Sequence, residues 1–130
     1  MGVLARLFGA ATGADDDPVL SRYRHLLGSA PIESIEQAHA EAFGELREPQ
    51  RAAIYEELSR SSGTGERPLS SEPATLARSA SRAEHRVPGS LERTLRAADD
   101  RGGFGGSLLD PVVGQVARSP LVSAFLPWNG

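Results

Sequence analysis

The chain predicts an all-α fold, a small helical bundle with a glycine-hinged, apolar C-terminal arm. Three observations carry that expectation. Apolar residues recur at intervals of three and four, the spacing of one helix face. Prolines head three consecutive segments, a position where the missing amide hydrogen is no loss to a helix. A glycine cluster, Gly102, Gly103, Gly105 and Gly106 around Phe104, then separates the helical segments from an apolar tail. The 130 residues suffice for one small domain, and a chain of that size buries only about two-thirds of the surface its unfolded form exposes. Apolar residues make up 39 % of the chain, many of them alanine, and aromatics only 5 %. Large core-forming side chains are therefore few, and part of the chain is expected outside the core.

Residues 1–16 form an N-terminal segment, disordered or amphipathic, in which Val3, Leu4, Leu7 and Phe8 fall on one helical side. Its apolar residues are spaced rather than continuous, so no secretion signal is read there. The helical core is assigned to residues 17–58. Its first helix starts with Asp17 as cap and Pro18 in the first position, ends at Gly28 in a left-handed conformation, and buries Val19, Leu20, Tyr23, Leu26 and Leu27. Pro31 opens the second, with Ile32, Ile35, His39, Ala42, Phe43 and Leu46 inward and Glu33, Glu36, Glu41 and Glu45 outward. Pro49 opens the third, whose stripe is Ile54, Tyr55 and Leu58. Short turns between three helices imply a bundle.

Glycine, serine and proline interrupt the pattern over residues 59–71, read as a mobile loop. Residues 72–100 hold additional helices. One is capped by Ser71, stops before Pro88 and Gly89, and has a small apolar side of Leu76, Ala77, Ala80, Ala83 and Val87. A shorter one runs up to the glycine cluster. Residues 101–130 are the arm, with 101–106 as a mobile hinge.

Composition removes several function classes. There is no cysteine, which excludes disulfides and thiolate metal sites and fits a reducing cytosol. All 14 basic residues are arginine, a bias of GC-rich genomes that points to an actinobacterial source. Net charge is −3, with ten acids to five arginines over residues 1–58 and eight arginines to six acids over 59–101. An acidic half thus adjoins a mildly basic segment that can pair with it or with an outside partner.

The stretch from Tyr23 to Gly89, including YRHLLGSAPIESIEQAHAEAFGELREPQRAAIYEELSR and the SSEPATLARSASRAEHRVPG that closes it, resembles a family of small uncharacterised actinobacterial proteins commonly labelled "cation-transporting ATPase". The label would imply a phosphorylated aspartate in a D-K-T-G context and several membrane-spanning helices of about 20 apolar residues. A chain without lysine carries neither that motif nor the nucleotide-binding G-x-x-x-x-G-K-[ST]. Members of the family carry a glycine-rich, more strongly apolar tail, whereas here the tail is shorter and broken by Pro111, Pro120 and Pro127.

Four constellations are weighed for chemistry. Glu36 and His39 have the i, i+3 spacing that presents carboxylate and imidazole to a metal in helical bundles. A di-iron site needs a second such pair, none exists, and His39 sits among Ile35, Ala42 and Phe43, so a hydrogen-bonded core histidine is the preferred assignment. Arg78, Arg82 and Arg86 form an i, i+4, i+8 ridge able to grip phosphates or acidic partners, with a solvated face or pairing with the Glu-rich second helix as the preferred assignment. Serine and threonine are abundant, but no positioned nucleophile appears near His25 or His85. The fourth is the tail, where Leu108, Leu109, Val112, Val113, Val116, Leu121, Val122, Phe125, Leu126 and Trp128 occur with only two charges. It either folds back on the bundle or docks on another protein, and docking is preferred because a hinge precedes it and Phe125, Leu126 and Trp128 resemble an interface anchor.

The function expected is therefore that of a non-enzymatic accessory protein, cytoplasmic and without cofactor, attached by its arm to a larger protein complex, at the membrane surface only through such a partner. No nucleic-acid partner is expected, given Glu84 beside the ridge and the overall acidity. The alternatives are a small metal-binding bundle using Glu36 and His39, and a peripheral membrane-associated protein that touches but does not span the bilayer.

Overall fold

The computed structural model describes residues 17–61 and 67–125; among these are seven helices and no strand. The Asp17 carboxylate accepts from the amides of Val19 and Leu20 at 2.9 and 3.4 Å, and α1 runs Pro18–Ser29 with Leu20, Tyr23 and Leu26 buried. Gly28 does not end it, and its φ is not positive. The stop is Ala30, extended at φ −82° and ψ 153°, because the residue before a proline is driven out of the helical region. Pro31 then leads α2, Ile32–Gly44, whose buried face is Ile35, Ala38, His39, Ala42 and Phe43.

The third helix, α3, spans Glu48–Ser61 and buries Gln50, Ile54 and Leu58, with Tyr55 half-buried. It continues three residues into the stretch read as loop. Helix α4, Pro73–Arg86, follows Glu72 rather than a Ser71 cap, and its first amides receive no side-chain hydrogen bond. Leu76, Ala77 and Ala80 are buried, Ala83 is half-buried, and Val87 is exposed beyond the helix end. With small residues inward, α4 packs along α2.

Two buried carboxylates shape the remaining connections. Glu84 accepts from the amides of Gly89 and Leu91 at 2.9–3.1 Å, closing a tight turn in which Gly89 has φ 94°. Helix α5, Ser90–Gly102, follows at once with Leu91, Leu95, Ala98 and Asp99 inward. Asp99 accepts from the amides of Gly106, Leu108 and Leu109 at 2.8, 3.1 and 2.7 Å. From the other side, the Gln50 amide donates to the Ser107 carbonyl at 3.2 Å.

The glycine cluster is thus a hydrogen-bonded turn, and residues 108–122 of the tail pack into the bundle. Helices α6, Leu109–Arg118, and α7, Pro120–Ser123, fold back against α1 and α2. Leu108, Val112, Val113, Val116 and Val122 are buried in the same core as Tyr23, Phe43, Ile54 and Leu95. The physical reason is amphipathicity: α6 carries its valines on one face, and burying them at home needs only the turn that Asp99 holds. Leu109 and Leu121 are half-buried and Phe125 is 40 % exposed, while Leu126, Pro127 and Trp128, like Val3, Leu4, Leu7 and Phe8, lie outside the described residues.

Ion pairs tie the periphery. Glu92 on α5 accepts from Arg24 of α1 and Arg96 of its own helix, both at 2.8 Å, and hydrogen bonds from Arg24 first, with those from Arg96, hold its carboxyl down at about 2. Arg101 bonds Glu57 between α5 and α3. Among the described residues no helix is long and apolar enough to cross a membrane.

Candidate functional site

The arginine ridge meets a second segment and becomes one wall of a cleft. Residues 78, 82 and 86 fall on the solvent side of α4 because positions 76, 77, 80, 81 and 84 take its buried side. The chain approaching α4 crosses beside this ridge and brings Arg67 to it. Pro68 is buried and fastens that approach, and the Ser70 hydroxyl accepts from the Glu72 amide at 3.2 Å. Between the two walls lies a space of about 490 Å3.

Among the described residues, Arg67, Arg78, Arg82 and Arg86 line this cleft together with one carboxylate, that of Glu36. Thr75 and Ser79 contribute hydroxyls, and Pro68, Leu69 and Ala74 an apolar end. Glu36 reaches Arg78 at 3.5 Å with the arginine 62 % exposed, a pair worth at most about 1 kcal/mol in water. The first turn of α4 also borders the space, and its uncapped amides add partial positive charge. A guanidinium matches a carboxylate or phosphate with two parallel hydrogen bonds, so the arrangement can hold anions. Arg67 also borders a smaller hollow of about 290 Å3 beside Tyr55 and Arg60.

The proposed metal pair comes apart. His39 is fully buried between α1 and α2, its Nδ1 donates to the Ile35 carbonyl at 2.7 Å, and its Nε2 accepts from the Tyr23 hydroxyl at 2.8 Å. A carbonyl only accepts, which fixes the tautomer and leaves neither ring nitrogen for a metal. Burial lowers the His39 pKa to about 4, and burial followed by the charges of Glu84 and Glu92 raises that of Tyr23. Glu36 instead turns to the cleft. Among the described residues no group of three or more histidine, cysteine or acidic side chains could hold a metal ion.

Of the residues expected to bind a partner, the structure brings Arg78, Arg82 and Arg86 together with Arg67 and withdraws most of the tail into the core. Arg67 and Leu69 were not legible as site residues and Glu36 only as a metal-ligand alternative, because 36 and 67–69 are brought together by tertiary packing. Glu84, taken in sequence as a charge of the ridge, is buried and serves the turn. Neither a family model, nor a curated protein, nor a solved structure matches the chain.

Proposed function

We propose that the protein is a non-enzymatic interaction module that holds an anionic group of a partner in the arginine cleft. The observation that carries this is the convergence of Arg67, Arg78, Arg82 and Arg86 from two segments on one space where Glu36 is the one carboxylate among the described residues, in a chain whose net charge is −3. Folding does not demand it, since the buried face of α4 is complete without those arginines. The cleft has cations but no paired acid and base, and arginine stays protonated at any ordinary pH, so its chemistry suits binding rather than bond cleavage. The cleft offers a surface for attachment to a larger assembly, whereas Leu108, Val112, Val113, Val116 and Val122 of the tail are buried in the core.

Calorimetric titration of the full chain with poly-L-glutamate tests the proposal. Binding is expected at low ionic strength, weaker at higher salt, and reduced by about tenfold or more in the Arg78→Ala, Arg82→Ala double variant, the scale of one or two charge-assisted hydrogen bonds. Equal affinity in variant and wild type rejects the cleft as the site.

A further inference from the structure

We infer that the occupant of the cleft is a protein segment carrying several carboxylates beside one bulky apolar side chain, an inference that rests on the anion-binding reading above. Two features of the cleft select it. The first is the spread of charge. Arginines at four-residue steps along α4 stand about 6 Å apart per step, so the row from Arg78 to Arg86 is about 12 Å long, more than one small anion can engage. A ligand with charges distributed along a chain matches it.

The second feature is Leu69. It is 94 % exposed, whereas Val19, Val87 and Phe125, the other exposed large apolar residues of the described chain, reach 39–53 %. It stands at the apolar end of the cleft with Pro68 and Ala74. Its presentation is built: buried Pro68 anchors one side, and the Ser70 hydroxyl bonded to the Glu72 amide turns the chain on the other. A phosphate ion would leave this side chain in water. An acidic segment with a leucine-like residue would cover it while its carboxylates lie along the ridge. Nucleic acid is the other extended polyanion, but among the described residues the cleft has no aromatic side chain on which a base could stack.

Fluorescence anisotropy with the full chain tests this, using a labelled glutamate-rich peptide containing one leucine and the same peptide with alanine in its place. The leucine peptide is expected to bind about tenfold more tightly, from burial of apolar area on both partners. Leu69→Ser, a change at an exposed position that leaves the core intact, is expected to abolish that preference without weakening the alanine peptide, whereas Arg82→Ala weakens both. Equal binding of the two peptides, an unchanged preference in Leu69→Ser, or stronger binding of oligothymidylate or pyrophosphate than of the leucine peptide overturns the inference while leaving an arginine-dependent anion site standing. Failure of both peptides to bind overturns that reading as well.

Discussion

His39 shows how a single residue sets the acid limit of the fold. Its ring is flanked by Tyr23 and Phe43, with centroids 5.6 and 5.8 Å away, and it is fully buried. Protonation would put a charge in the core, away from water, and that desolvation opposes it. The unfolded chain takes a proton on this histidine near 6.5, the folded chain only near 4. Stability from the neutral ring is therefore full above pH 6.5 and is lost as pH falls from there toward 4. Between pH 7 and pH 5 the loss is about 2 kcal/mol. Denaturant unfolding at the two pH values should show it, and His39→Gln, which keeps hydrogen-bonding capacity but cannot titrate, should lose less than half as much. An equal loss in the variant would mean that other groups control acid stability.

Among the elements, the helices were legible and their connections were not. Pro18, Pro31 and Pro49 stand at or within one residue of helix starts, by a local steric rule that acts identically in sequence and structure. Gly28 and Ser71 failed as markers because the competing constraint belonged to a neighbour, the extension forced on Ala30 by Pro31 and the direct entry through Glu72 and Pro73. The packing of residues 108–122 into the bundle was legible only as the second alternative, for a related reason. Asp99 shares the i, i+4, i+7, i+8 pattern of Leu91, Leu95 and Ala98, so it lies on an apolar face, and a carboxylate there must find buried donors. The amides after the glycine run are those donors, reached 7 to 10 residues on. Glu84 repeats the device behind Leu76, Ala77 and Ala80. An acid on an apolar stripe before a glycine turn was the available signal. The site was less legible still, since the ridge is local to α4 but its opposing wall depends on tertiary packing. Asp99→Asn, which exchanges an acceptor for a donor facing an amide, should destabilise the fold by about 2–3 kcal/mol. Hydrogen exchange should show protection lost first at residues 106–109 and in α6; unchanged protection there would contradict the clamp.

At the scale of the whole molecule the decisive question is whether residues beyond the glycine turn are an appendage or a part of the core. Leu108, Val112, Val113, Val116 and Val122 lie against α1 and α2, on the side of α2 left by α4. Burying each contributes about 1.5–3 kcal/mol relative to exposure, so together they represent on the order of 10 kcal/mol, comparable with the net stability of an ordinary domain. The chain also has few large apolar residues to spare, and removing this set would uncover the faces of α1 and α2 on which α6 packs. A protein ending at Gly106 should therefore lose its cooperative thermal transition, followed by circular dichroism, and should bind a dye specific for exposed apolar surface while keeping part of its helical signal. A separable arm would leave the transition of the bundle nearly unchanged. The same result governs any partner search, because capture that is lost on truncation at Gly106 would report the unfolded bundle, whereas Leu69→Ser and Arg82→Ala alter the cleft and leave α6 in place.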